Sequence, residues 1–185
     1  PTMTANSPYG YRNKMEFSVG SEEGGVQIGL HPAGQFGRIF DLDRCELVPP
    51  SVSDIVAQVR SFVVSRGLTP YNLKTHEGLL RFLTVRESTQ SREVMVILTT
   101  SQEPFPEIDQ LAATLVSRIS RVKSVIHTVN KGKAQVAYGE ENRVVTGTKS
   151  ITETIGAYTF DISPSSFVQP NTIQADVMFS RIEEI

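Results

Sequence analysis

One cysteine, no tryptophan and only three histidines are spread through the 185-residue chain. A lone thiol cannot close an internal disulfide, nor complete a four-thiolate cluster unaided, so nothing marks a stapled secreted scaffold. The histidines, His31, His76 and His127, have no second histidine or carboxylate at metal-ligand spacing, which excludes a readable zinc site. Long apolar runs are also missing. Val94-Met-Val-Ile-Leu98 is among the longest, far short of the ~20 residues a membrane span requires, so a transmembrane segment and a signal peptide are excluded and no membrane partner is expected. No Gly-x-Gly-x-x-Gly and no Walker-type loop occurs. Gly29, Gly34 and Gly37 have the wrong spacing, so no cofactor phosphate cradle is encoded. Net charge is small as well, at -2.

What remains is an ordinary globular composition, 39% hydrophobic and 21% charged. A chain of this length buries about 70% of its unfolded surface and needs no metal or disulfide to fold; a reducing cytoplasm is the expected compartment. Charge is unevenly placed: residues 51–150 hold 13 bases and 9 acids, whereas 151–185 hold 1 and 5. Between Asp109 and Glu140 there is no acid, while Arg118, Arg121, Lys123, Lys131 and Lys133 all fall there. Such a stretch suits a polyanion partner, and equally a solvated helix end with a basic hairpin.

Alternation of apolar and polar residues over 11–19 predicts a half-buried strand with Arg12 and Lys14 on its polar face, returning at 26–30 after a turn at 21–25. A loop at 31–37 leads to a short strand at 38–42. Ile55, Val56, Val59, Phe62 and Val63 have helical spacing over 54–65, with Gly67 placed as a C-terminal cap. Residues 79–87 and 93–99 read as a hairpin. A helix begins at Pro106 with Ile108, Leu111, Leu115 and Ile119 on one stripe. Strands follow at 122–129, 134–138, 144–148 and 158–162. The pattern predicts an α+β fold, a mostly antiparallel sheet of hairpins with two packed helices. A final helix over 172–185 carries Ile173, Val177, Met178 and Ile182 on a stripe that needs cover. That stripe and Pro1 read as a chain cut from a larger protein, with association through this helix expected.

Two places carry candidate chemistry. Cys45, in Asp41-Leu-Asp-Arg-Cys-Glu-Leu47, is open to three readings: buried thiol, nucleophile, or metal or cluster ligand with partners elsewhere. Phe167, Gln169 and Asn171 combine an aromatic face with carboxamides. A ring stacks on a flipped pyrimidine while an amide offers a donor and an acceptor to the uracil edge. A packed phenylalanine and a helix cap at Asn171 account for the same residues, so both readings stand.

Three segments, Tyr9-Gly-Tyr-Arg-Asn-Lys-Met-Glu-Phe17, Gly29-Leu-His-Pro through Asp41-Leu-Asp-Arg-Cys-Glu-Leu47, and Ile162-Ser-Pro-Ser-Ser-Phe-Val-Gln-Pro-Asn171 with Gln174-Ala175, together resemble the RNA uracil-C5 methyltransferases, which make 5-methyluridine. The resemblance covers nearly the whole chain and is loose from about 51 to 120. It implies a central domain at 1–150, followed at 151–185 by the entrance to a Rossmann-like methyltransferase domain. It also implies Phe167 as the base-stacking residue, Gln169 as a contact to the base edge and to the S-adenosylmethionine side, and Arg12 with Lys14 as RNA contacts. Cys45 matches the fourth cysteine of the family's [4Fe-4S] members, whose other three lie just upstream of the Tyr-Arg-Asn-Lys motif. In the family a cysteine adds to C6 of uracil, C5 takes the methyl group and a base removes the C5 proton. Those catalytic residues and the cofactor loop lie downstream of the matched segments, so the chain alone is expected to be inactive. The family's iron-sulfur members direct the expectation to ribosomal RNA, 23S in particular, ahead of transfer RNA. The alternative is a stand-alone RNA-binding or protein-interaction module without catalysis.

Overall fold

The computed structural model describes residues 3–22, 25–35 and 37–184. Glu23 and Gly24 of the expected 21–25 turn, Phe36 of the expected 31–37 loop, Ile185 of the expected last helix and Pro1 fall outside them. The strands are β1 (Lys14–Glu22), β2 (Gly25–Leu30), β3 (Phe40–Asp41), β4 (Leu80–Glu87), β5 (Val94–Thr100), β6 (Val122–Val129), β7 (Glu141–Gly147), β8 (Ile151–Ile155) and β9 (Tyr158–Ile162). The helices are α1 (Pro50–Arg66), α2 (Ile108–Arg118) and α3 (Thr172–Glu183). Seven strands form one sheet in the order β3-β2-β1-β4-β5-β6-β7, and β8-β9 is a separate hairpin. Pairing in the large sheet is antiparallel except between β5 and β6. That exception follows from connectivity, because α2 links the two strands and a crossover helix returns the chain in the same direction.

The α+β class and the mostly antiparallel sheet agree with the periodicity. Met15, Phe17 and Val19 of β1 are buried, as are Leu83 and Val85 of β4 and Val96 and Leu98 of β5, and they join the apolar residues of α1 and α2 in one core. Gly67 caps α1 in the left-handed region at φ 62°, a conformation that glycine adopts without a Cβ penalty. The opposite face of the sheet holds a smaller cluster, Met95, Ile97 and Ile126, closed by Ile151 of β8, Ile162 of β9 and the half-buried Val168. Each fully buried isoleucine is worth about 1.5 to 3 kcal/mol, enough to seat the hairpin and the loop after it on that face.

Four local expectations change. Arg12 precedes β1 rather than lying in it, because its backbone N–H is taken by the carbonyl of Leu47 at 2.9 Å. The strand at 38–42 shrinks to two residues. β8 was not foreseen. Residues 134–138 form no strand, and β6 pairs with β7 instead. The cause is Arg81, whose side chain is fully buried. Its guanidinium donates to the carbonyls of Asn130 at 3.1 Å, Gly132 at 2.6 Å and Ala134 at 2.5 Å, and it lies 4.3 Å from the Tyr71 ring centroid. Asn130 Nδ2 donates to Val136 O at 3.1 Å and Thr99 Oγ1 to Ala137 O at 2.7 Å. With the carbonyls of Ala134, Val136 and Ala137 spent on side chains, the segment cannot supply a regular ladder.

Arg81→Met should lower stability by about 3 kcal/mol, since several buried carbonyls lose a charged donor at once, and should raise amide exchange in 131–139. Thermal denaturation with hydrogen exchange checks both. His127 on β6 is held below its ordinary pKa, first by burial and second by the charge of Arg143. The unfolded chain therefore binds this proton more readily than the folded one. The His127 contribution is complete above the unfolded value of about 6.5 and is lost as pH falls below it toward the folded value. Melting curves from pH 7.5 downward should show this loss, and His127→Gln should remove that part of it.

Candidate functional site

Residues 163–171 connect β9 to α3 across the open face of the sheet, and two polar side chains, the buried Arg86 and the half-buried Asn13, hold them from opposite ends. Arg86 of β4, 5% exposed, donates from Nη2 to Ser166 O at 2.5 Å and to Pro164 O at 3.3 Å. Burial lowers the pKa of its guanidinium, with Glu16 opposing the shift. At the other end Asn13 donates from Nδ2 to Gln169 O and to Thr172 Oγ1, both at 2.8 Å, and its backbone N–H donates to Pro170 O at 2.8 Å. The Asn13 carbonyl accepts from Glu87 N at 2.9 Å, which ties this anchor to the end of β4.

Between the anchors the chain runs extended and its side chains alternate. Val168 turns inward to the small core, while Phe167 and Gln169 are exposed, Phe167 at 83%. Phe167 therefore packs into neither core of this chain. The capping reading of Asn171 holds, since its side chain accepts from Gln174 N at 3.0 Å and starts α3. Arg12 and Lys14 border a groove of about 310 Å³ that also touches Arg86, Phe167 and Pro170. Lys14 is ion-paired with Glu16, and Arg12 Nε is buried without a hydrogen-bond partner. Phe167, Arg12 and Lys14 thus meet at one place. Gln169 lies over a neighbouring groove with Tyr11, Asn171 and Met178.

Cys45 does not line that groove. It is half-buried and packs against the edge of the main core. Its neighbour Glu46 accepts at the carbonyl from Gly10 N at 2.8 Å, so the chain leading into the Tyr-Arg-Asn-Lys motif runs beside the cysteine. Among the described residues no group of three or more His, Cys, Asp or Glu could hold a metal ion. The bases of the acid-free stretch do not form one patch. Arg118 donates to Gln58, Arg121 lies 3.8 Å from Glu87, and Lys131 pairs with Glu141.

Glu153 escaped the sequence reading. Only 3% exposed, it accepts from Ser88 Oγ, Thr89 N, Gln90 N, Thr154 N and Thr172 Oγ1 at 2.8 to 3.4 Å. Its signal was present: in Ile-Thr-Glu-Thr-Ile the acid occupies the register of the flanking isoleucines, and an acid in an apolar register marks a satisfied buried carboxylate. Arg86 gave no signal, because an arginine near a strand end ordinarily reads as solvent-facing.

The chain is 33% identical to an uncharacterized RNA methyltransferase of Halalkalibacterium halodurans and 29% identical to one of Oceanobacillus iheyensis, over 100% of this chain and 40% of each relative. Identity to an uncharacterized RNA methyltransferase of Chlorobaculum tepidum is 32%, over 98% of this chain and 41% of the relative. The chain is thus similar, over its whole length, to part of several RNA methyltransferases. It spans about 40% of the length of the curated relatives it matches. No family model matches it. A solved structure with the same fold is the Pyrococcus abyssi tRNA (uracil-54, C5)-methyltransferase in complex with S-adenosyl-L-homocysteine, at a TM-score of 0.80 and 24% identity over 97% of this chain and 42% of that one.

Replacing Asn13 by Ala should lower stability by about 1 to 2 kcal/mol through its lost hydrogen bonds. Phe167→Ala should change stability by less than about 0.5 kcal/mol, as expected for an exposed side chain. Denaturant titration of the two variants separates an anchor from a displayed group.

Proposed function

We propose that the chain is the base-presenting portion of an S-adenosylmethionine-dependent RNA uracil-C5 methyltransferase. The observation that carries this reading is the pinned loop at 163–171. The buried Arg86 and the half-buried Asn13 fix its backbone, yet the ring of Phe167 is left in water, an expense that a stacking partner explains. In this reading the target uracil leaves its helix and stacks on Phe167, which holds the ring plane. The carboxamide of Gln169 both donates and accepts, so it suits the O4, N3–H and O2 edge of uracil and orients C5 toward the cofactor side. Lys14 and Arg12, at the rim, neutralise phosphates next to the flipped nucleotide. S-adenosylmethionine supplies the methyl group.

We read residues 1–150 as the central domain and 151–185 as the start of a Rossmann-like methyltransferase domain. The exposed stripe Ile173, Val177, Met178 and Ile182 of α3 is then the surface that packs there, and in the isolated chain it promotes association. Cys45 is assigned as one ligand of a [4Fe-4S] cluster, with the segment upstream of Gly10 brought alongside it by the Gly10–Glu46 hydrogen bond. The RNA is assigned as 23S ribosomal RNA on the family resemblance, and methylation assays on 23S and transfer RNA transcripts decide between them.

In the complete protein, Phe167→Ala should reduce RNA methylation by an amount equivalent to about 1 to 3 kcal/mol of lost stacking, with the melting temperature unchanged. Equal loss of stability and turnover would defeat the assignment. The isolated chain should show no heat of binding with S-adenosylmethionine, and micromolar affinity in that titration would place the cofactor site within these residues.

A further inference from the structure

Phe167 is one of two exposed aromatic rings on the same groove. Tyr138, 73% exposed, lines the far side of a depression of about 400 Å³ on the sheet face away from the helices, within the size range of ligand sites. Its loop is fixed much as that of Phe167 is. Thr99 holds Ala137 O on one side of it. On the other, Gly139 lies so near β6 that a Cβ there would come within 2.1 Å of Val129 O. Both aromatic platforms are therefore rigid before any ligand arrives, which reduces the entropy lost on binding.

The floor between them includes Thr84, Thr128 and the Arg86 guanidinium. The Thr84 hydroxyl and Arg86 Nε are buried and, among the described residues, without a hydrogen-bond partner. Thr128 Oγ1 donates to Asn142 Oδ1 at 2.6 Å, which fixes the amide plane and turns the Asn142 NH2 group to other acceptors. Lys14 at the rim is paired with Glu16, and Arg86 Nη2 donates to the carbonyls of Ser166 and Pro164. A flat ring platform beside an exposed carboxamide suits the face and edge of a nucleobase.

We propose that this groove holds a second nucleobase of the RNA, stacked on Tyr138 and hydrogen-bonded at its edge by Asn142, beside the base at Phe167. The proposal rests on the RNA-methyltransferase reading and deepens it: the enzyme would grip two splayed bases of a single-stranded segment, not one.

The test is fluorescence anisotropy of the chain with a short single-stranded RNA containing one uridine, and with versions of that RNA made abasic at single positions flanking it. Tyr138→Ala should weaken binding about 5- to 150-fold, the equivalent of one lost stacking contact, while Tyr138→Trp retains it. Asn142→Ala should weaken binding about 2- to 10-fold, as for one lost hydrogen bond. One abasic position should weaken the parent chain and leave Tyr138→Ala indifferent. If Phe167→Ala weakens binding while Tyr138→Ala matches the parent, the second base site is overturned and the RNA reading stands. If neither variant weakens binding, or the parent chain binds no RNA, both fall.

Discussion

The buried carboxylate of Glu153 is the constraint on which the open face of the sheet depends. An ionised carboxylate removed from water costs several kcal/mol unless donors surround it. Here the donors come from the turn between β4 and β5, from the backbone of β8 and from Thr172 at the first residue of α3. Satisfying this one group therefore fixes three separate pieces of chain in mutual register. Thr172 in turn accepts from Asn13, so the same network reaches the segment ahead of β1 and, through Asn13, the carbonyls of Gln169 and Pro170.

This arrangement separates rigidity from burial. The backbone at 163–171 is held by the buried Arg86, by Asn13 and by Val168 in the small core. Its outward side chains make no such commitment. A displayed ring on a fixed backbone loses little freedom when a base stacks on it, which is the physical requirement for recognising a nucleotide pulled out of a helix. The loop at 131–139 follows the same design from a different anchor, the buried Arg81. In both cases a buried guanidinium takes backbone carbonyls out of competition for sheet pairing and leaves an irregular loop with a defined shape.

Periodicity made much of the fold legible. Strands at 79–87, 93–99 and 122–129 and the stripes of α1 and α2 were readable because their core face repeats at the period of the element, a local property. The missed features are those in which a polar group is satisfied at a distance. Residues 134–138 alternate like a strand, but Arg81 is some fifty positions away and its target carbonyls leave no mark on composition. β8 was overlooked because Glu153 breaks an apolar alternation that would otherwise have announced it. The acid-free stretch looked like a basic patch because its acids, Glu87 and Glu141, come from other strands.

The sequence by itself determined the α+β class, the capping of α1 by Gly67, and the three segments that resemble the uracil-C5 methyltransferases, since each is set by residues adjacent along the chain. Only the tertiary structure decided that Asn171 caps α3 and that Phe167 is displayed from this chain rather than packed in it, because Phe-x-Gln-x-Asn permits both. The outcome depends on Arg86 and Asn13, which are far away in sequence and reach the loop only once β1 and β4 are paired. It likewise decided that Tyr138 and Phe167 share one groove, since strand order alone brings a loop after β6 opposite a loop after β9.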